Sequence, residues 1–276
     1  MAEPLQVARG VVDVWAAPGG GSDDDRLTQA LLGCPAVVLE EREGWARVRL
    51  PDYEGWLERA ALGPAAHTTS AEVLVVTARG APLYADPAAA TPSDEVYLGS
   101  VLPLAGGPPS AAAGEARLAV ALPGGRVGWV PAATGERRSR GAARPPRPAS
   151  VAVAVARQFL GCPYLWGGAT YHGIDCSALV QRAYALSGYS LPRDADQQWA
   201  AVPTVVERDA LAAGDLLFFA RGDAIVHVAM ALDGARFIHA LGDPPRGVCI
   251  QSLVPAAPDF NERLAALYLG ARRVVA

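Results

Sequence analysis

A cysteine at the start of a predicted helix is the feature that most constrains the fold of the second half of the chain. Asp175 is a good N-cap, the apolar-striped run Ser177–Leu186 predicts the helix, and Gly188 ends it. Cys176 is therefore expected on the first helical turn. There the unpaired backbone N–H groups and the positive end of the helix dipole favour a thiolate, so we expect a lowered pKa for Cys176.

Two predicted strands follow the helix, and each carries a histidine. Residues 224–232 are an apolar run of β-formers, residues 237–240 predict the next strand, and Asp233-Gly234 between them is a two-residue hairpin signal. The hairpin would bring His227 close to His239. This order predicts a cysteine nucleophile, with His227 as the base and His239 as the group that holds the first imidazole in its productive tautomer.

Residues 149–276 resemble the NlpC/P60 cysteine peptidases, and the matching motifs occur in family order. The motifs are Gly161-Cys-Pro-Tyr-Leu-Trp-Gly-Gly168, Ile174-Asp-Cys-Ser-Ala-Leu-Val180, Leu191-Pro-Arg-Asp-Ala-Asp-Gln-Gln198, Ala213-Gly-Asp-Leu-Leu-Phe-Phe219, Val226-His-Val-Ala229 and Phe237-Ile-His-Ala240. The resemblance implies a papain-like α+β core that cuts the γ-D-glutamyl to diamino acid bond of peptidoglycan stem peptides. It also implies the triad Cys176, His227 and His239, with no metal or organic cofactor.

The resemblance assigns further residues to the substrate. Tyr164 matches a family tyrosine near the nucleophile, so with the Cys176 backbone N–H it is a candidate oxyanion donor. Ser177 is expected to hydrogen-bond substrate, and Asp175 is expected to cap the helix and to lie close to the substrate amine. Asp194 matches the acidic residue that receives this ammonium in a peptide-recycling subgroup.

Two further positions each have two possible roles. Arg193 fits either a substrate carboxylate or a structural salt bridge. His172 fits a loop residue at the rim of the cleft better than a member of the triad.

A weak internal repeat precedes the peptidase-like region. Residues 43–57 are echoed by residues 116–130, each with an alternating strand, a turn and a Gly-Trp strand. The first copy resembles a bacterial SH3 (SH3b) domain, and the second is more diverged. The predicted fold class is therefore multidomain, with two small all-β SH3b-like barrels followed by an α+β papain-like domain. The predicted boundaries are SH3b-like domains at 1–66 and 67–133, a basic proline-rich linker at 134–148 and the peptidase domain at 149–276.

The order of these domains resembles the recycling subgroup, in which the first β module covers part of the cleft. A module in this position would form a wall that admits only short peptides with a free amino end. Tyr53 is our candidate for a residue of this wall. The alternative is that Tyr53 is a structural aromatic residue of the β module. We therefore expect an endopeptidase of murein peptide recycling. The open alternatives are a secreted hydrolase that acts on intact wall through SH3b binding, an amidase or acyltransferase, and an inactive wall-binding module.

Composition and charge indicate which partners and which cellular location to expect for the protein. The 276 residues include 24 Lys and Arg against 28 Asp and Glu, and the basic segment lacks aromatic residues, so no nucleic-acid partner is expected. No segment reaches the ~20 apolar residues of a membrane span, and the first residues lack a signal-peptide pattern. We expect a cytoplasmic protein whose four cysteines form no dense disulfide framework. A zinc site on Cys176, His227 and His239 is a further alternative that lacks a fourth ligand, and the oligomeric state stays open.

Overall fold

The chain folds into two compact units that divide between Ala142 and Ala143. The computed structural model describes residues 4–22, 25–107, 110–112, 115–244 and 246–275. Within these ranges no helix has both the length and the apolar character that crossing a bilayer requires.

The described part of the N-terminal unit consists almost entirely of strands. Strands β1 to β7 are Leu5–Val7, Val11–Trp15, Arg26–Leu31, Pro35–Arg42, Trp45–Arg49, Glu54–Glu58 and Leu62–Pro64. Strands β8 to β15 are Glu72–Val76, Gly80–Leu83, Asp94–Tyr97, Val101–Pro103, Ser110–Ala112, Glu115–Leu122, Arg126–Pro131 and Gly135–Ser139. This β-rich character agrees with the prediction for the first half of the chain.

Strands β1 to β7 form one antiparallel sheet in the order β3-β2-β6-β5-β4-β1-β7. Alternation in the sequence explains the buried face, because Val12 and Val14 of β2 and Ala46 and Val48 of β5 all point into one core. The predicted Gly-Trp hairpin is present, with Arg47 of β5 opposite Trp56 of β6.

Strands β8 to β15 form small antiparallel sheets around a second core. The repeat is again a hairpin, in which Ala119 of β13 lies opposite Trp129 of β14. Isolated bridges from Tyr84 to Trp129 and from Leu104 to Val120 connect the sheets.

Two segments of this second module differ from the prediction. Gly135–Ser139, the start of the predicted linker, is strand β15 and pairs along β8. Its polar sequence has no hydrophobic alternation, and backbone hydrogen bonds to β8 define it instead. The sequence Ser110-Ala-Ala-Ala-Gly-Glu115 favours a loop, but Ser110–Ala112 pairs with β13; residues 113–114 lie outside the described residues.

The C-terminal unit packs helices against an antiparallel sheet, which agrees with the predicted α+β class. Its helices α1 to α4 are Ala149–Arg157, Cys176–Leu186, Ala195–Ala201 and Glu262–Leu267. Its strands β16 to β23 are Ala169–Thr170, Gly173–Ile174, Val205–Val206, Leu216–Arg221, Ala224–Ala231, Arg236–Leu241, Gly247–Ser252 and Tyr268–Arg272. The main sheet has the order β18-β23-β19-β20-β21-β22, and α2 packs against α1 and β20.

The strands that carry the two histidines are central in this sheet. His227 of β20 points to the same side as Ala229 and Ala231, as the period-two pattern predicts. The connection to β21 is longer than the predicted two-residue hairpin, because Asp233 Oδ1 accepts hydrogen bonds from the backbone N–H groups of Ala235 and Arg236. This side-chain turn replaces the expected tight turn.

Candidate active site

The proposed nucleophile is the first residue of helix α2. Asp175 is the N-cap, and its Oδ1 accepts a hydrogen bond from the Ala178 backbone N–H at 2.8 Å. Among the residues that the structure describes, none accepts a hydrogen bond from the Cys176 backbone N–H. That N–H is therefore available to a developing negative charge beside the thiol.

Burial reverses the expected protonation of Cys176. Its side chain is buried, and desolvation together with the Asp175 carboxylate raises the pKa of the Cys176 thiol to about 12. Hydrogen bonds from the backbones of Val228 and Ser177 and the charge of Arg193 oppose this rise in pKa without overcoming it. The expectation of a lowered pKa from the helix N-terminus alone is wrong, because that effect is smaller here than the cost of a buried charge.

The two histidines form the predicted pair. His227 Nε2 and His239 Nδ1 are 2.8 Å apart, and both rings are buried. Burial lowers the pKa of His227 well below its ordinary value and that of His239 to about 4. Since the pKa of the Cys176 thiol is raised and the pKa values of both imidazoles are lowered, burial favours the neutral form of all three groups.

Two residues that the sequence analysis missed define the tautomers of this pair. The Asn261 side chain caps α4 by accepting the Leu264 N–H, so its Nδ2 is free to donate to Gln251 Oε1 at 2.6 Å. Gln251 Oε1 thus faces His239 Nε2 at 3.0 Å as an acceptor, which requires a proton on His239 Nε2.

The tautomer of His239 determines the tautomer of His227. A neutral His239 with its proton on Nε2 presents a bare Nδ1, which accepts the His227 Nε2–H. His227 Nδ1 is then unprotonated and can act as a base. The period-two pattern of Gly247–Ser252 offered a signal for Gln251, since Cys249 lies opposite His239 in register and Gln251 follows on the same face.

A buried ion pair supports the start of α2. Arg193 donates from Nη1 and Nη2 to the two carboxylate oxygens of Asp175, at 3.0 and 2.6 Å, and from Nη1 to Ser177 Oγ at 2.9 Å. The Ser177 hydroxyl donates to Asp175 Oδ1, and the Gly167 N–H donates to Oδ2. Of the two alternatives for Arg193, the structure shows the salt bridge. The arrangement favours a supporting role for Asp175 and Ser177 over the predicted contact with substrate.

The remaining predicted residues lie in four places. Asp194 is partly buried before α3, where Gln197 Nε2 donates to its Oδ2 at 3.2 Å. Tyr164 forms a bridge to Ile174, and its ring packs against Gly242, where an added Cβ would approach the ring to 3.2 Å. His172 is exposed in the turn between β16 and β17, apart from the histidine pair. Tyr53 lies before β6 in the N-terminal unit, and its role stays a prediction.

The site offers no clustered metal ligands within the ranges described above: no group of three or more His, Cys, Asp or Glu is arranged there to hold a metal ion. The four cysteines are free thiols.

We expect the free energy of unfolding to decrease as the pH is lowered from about 6.5 to about 4. His239 has a pKa of about 4 in the folded protein, against ~6.5 in an unfolded chain. In this window the unfolded state binds more protons, so stability present above the unfolded pKa is lost as the pH falls toward the folded pKa. At about 1.4 kcal/mol per pKa unit, His239 contributes about 3 kcal/mol to this loss, and His227, whose pKa is also lowered, adds to it.

Urea unfolding at a series of pH values measures this effect. His239→Gln should make the dependence less steep without abolishing it, because His227 remains, whereas His67→Gln, at an exposed histidine of the N-terminal unit, should keep the wild-type dependence. Carboxylates titrate in all three proteins and cancel in the difference. An unchanged pH slope in His239→Gln would contradict the assignment.

Comparisons with known proteins agree with this arrangement. Residues 161–254 match the model of the NlpC/P60 family, and residues 19–62 match that of the bacterial dipeptidyl-peptidase Sh3 domain. The gamma-D-glutamyl-L-lysine dipeptidyl-peptidase of Bacillus cereus is 28% identical over 98% of this chain and 85% of the relative. The protein of the same name from Bacillus subtilis is 39% identical, over 40% of this chain and 36% of the relative.

A solved structure gives the same result. A crystal structure of an NlpC/P60 family protein from Bacillus cereus matches with a TM-score of 0.80 and 26% identity, covering 98% of this chain and 99% of that chain. The chain therefore contains a bacterial SH3 domain followed by a peptidase domain of the NlpC/P60 family.

Proposed function

We propose that the protein is a cysteine endopeptidase that cleaves the γ-D-glutamyl to diamino acid bond of short peptidoglycan stem peptides with a free N-terminal L-Ala. The observation that carries the proposal is the hydrogen-bonded pair of His227 on β20 and His239 on β21, since helix α2, which begins at Cys176, packs against both strands. The dipeptidyl-peptidase relatives supply the substrate class, since their names specify a γ-D-glutamyl bond before lysine.

The proposed mechanism begins from the neutral pair. His227 Nδ1 removes the Cys176 proton as the sulfur attacks the γ-carbonyl carbon, so the buried thiolate never accumulates. The Cys176 backbone N–H and the Tyr164 hydroxyl stabilise the oxyanion. The imidazolium of His227 protonates the departing amine, and a thioester of L-Ala-D-Glu remains on the sulfur. Water deprotonated by His227 then hydrolyses the thioester, which returns the proton to Cys176 and releases the dipeptide.

Asp194 is proposed to bind the substrate ammonium. Its carboxylate is partly buried at the start of α3, close to the Arg193 and Asp175 pair that supports the nucleophile. A desolvated ammonium needs an opposite charge, whereas an acylated amine would leave the carboxylate without its partner.

The proposal predicts a substrate preference that mass spectrometry of the products can measure. The purified protein should release L-Ala-D-Glu from L-Ala-γ-D-Glu-diaminopimelate and fail on the same peptide acetylated at its amino end. Asp194→Asn should lower kcat/KM for the free peptide by about tenfold or more, since hydrogen bonds to charged groups contribute ~1.5–3 kcal/mol.

The matched control is Asp196→Asn, an exposed carboxylate on the same helix, which should retain wild-type kcat/KM. Cleavage of both peptides would favour a hydrolase that acts on intact wall. Cleavage of neither would favour an amidase or a binding module.

A further inference from the structure

A concave surface lies beside His227 within the C-terminal unit. It is a cavity of about 400 Å³ whose wall includes Tyr164, Arg221, His227, Asp243 and Arg263. This volume is in the range of small-molecule sites. The cavity is large enough for one amino-acid residue of a peptide.

The position of the cavity indicates which part of the substrate it would receive. In the proposed mechanism His227 protonates the departing amine, so the residue that carries this amine must leave past His227. Among the residues that the structure describes, His227 lines the cavity and Cys176 does not. The Asp175 and Arg193 pair is also absent from its described wall. The cavity therefore lies on the side of the leaving diamino acid.

The wall of the cavity carries more positive than negative charge. Arg263 pairs with Asp243, while no described carboxylate pairs with Arg221, which ends strand β19. These groups give the wall two guanidinium groups and one carboxylate. The positive charge also reaches the catalytic residue, because Arg263 contributes to the lowered pKa of His227.

We propose that this cavity binds the far end of a diaminopimelate side chain, with Arg221 receiving the carboxylate that lysine lacks. This inference rests on the proposed function and names its substrate class more narrowly. The far end of meso-diaminopimelate is an amino-acid head group with one ammonium and one carboxylate. Lysine carries only the ammonium there, which the two guanidinium groups disfavour. A guanidinium group also matches a carboxylate in geometry, since it can donate two parallel hydrogen bonds.

The test compares three peptides with the full-length protein. They are L-Ala-γ-D-Glu followed by meso-diaminopimelate, by meso-diaminopimelate amidated on its far carboxyl group, or by L-lysine. The acid and the amide differ in one charge, so their ratio of kcat/KM isolates the proposed contact. We expect the acid to exceed both others by about two- to fivefold, the effect of one well-formed exposed charge pair.

Two variants test whether Arg221 causes the preference for the acid over the amide. Arg221→Gln should reduce the ratio of acid to amide to about one, while Arg157→Gln, an exposed arginine at the end of α1 outside the described wall, should keep the wild-type ratio. Raising the salt concentration should also lower the wild-type ratio.

The outcomes separate the inference from the function. Equal kcat/KM for the acid and the amide, or a ratio that survives in Arg221→Gln, would overturn the inference and leave the endopeptidase assignment intact. No cleavage of any of the three peptides would overturn the proposed function and the inference with it.

Discussion

Replacement of Cys176 by alanine is expected to lower kcat on the free stem tripeptide by at least about 10,000-fold, since the covalent route depends on this atom. The sulfur is small and lies on the first turn of α2, so its removal leaves the Asp175 cap in place. Thermal unfolding and substrate binding should therefore change little. Activity is measured as release of L-Ala-D-Glu, and binding as retention of the uncleaved peptide.

The matched control is Cys34→Ala. Cys34 is a free thiol in the N-terminal unit, so this variant should keep wild-type kcat. The comparison distinguishes loss of the nucleophile from a general effect of losing a thiol. If Cys176→Ala kept more than a few per cent of wild-type turnover, the sulfur would not be the nucleophile and the thioester would not form.

Local sequence signals predicted the positions of the chemical groups well. The Asp175 cap, the helix after it and the face of β20 that carries His227 all follow from patterns within a few residues. Each depends on spacing along one element, which hydrophobic periodicity and capping preferences report directly. The turn between β20 and β21 was longer than expected because the side chain of Asp233 forms part of it.

Tertiary effects were not predictable in the same way. The pKa of Cys176 depends on burial by elements distant in sequence, which outweighs the helix N-terminus. The tautomers of the histidine pair depend on Gln251 and Asn261, which come together only after β22 and α4 have packed. Strand β15 has polar residues and no alternation, so only its pairing with β8 reveals it.

The second large effect concerns stability. We expect Arg193→Met to lower the free energy of unfolding of the C-terminal unit by about 3–5 kcal/mol, because it leaves the buried Asp175 carboxylate without its counter-charge. The side chains of Arg193 and Asp175 are only 1% and 9% exposed, and the pair is 2.6 Å apart. Scanning calorimetry measures the loss as a lower melting temperature, by roughly 10 °C at about 2–4 °C per kcal/mol.

A second substitution tests whether the unpaired charge of Asp175 causes the loss of stability. Adding Asp175→Asn to Arg193→Met removes the isolated charge but keeps a good N-cap, so the double variant should recover part of the loss. As a surface control, Arg236→Met breaks an exposed pair with Asp233 and should cost less than about 1 kcal/mol. Equal stability of the single and double variants would show that the charge of Asp175 is not what Arg193 compensates. Recovery in the double variant would instead show that Arg193 supports the start of α2 electrostatically. Asparagine at position 175 has nearly the same shape as aspartate and can still cap the helix, but it carries no charge.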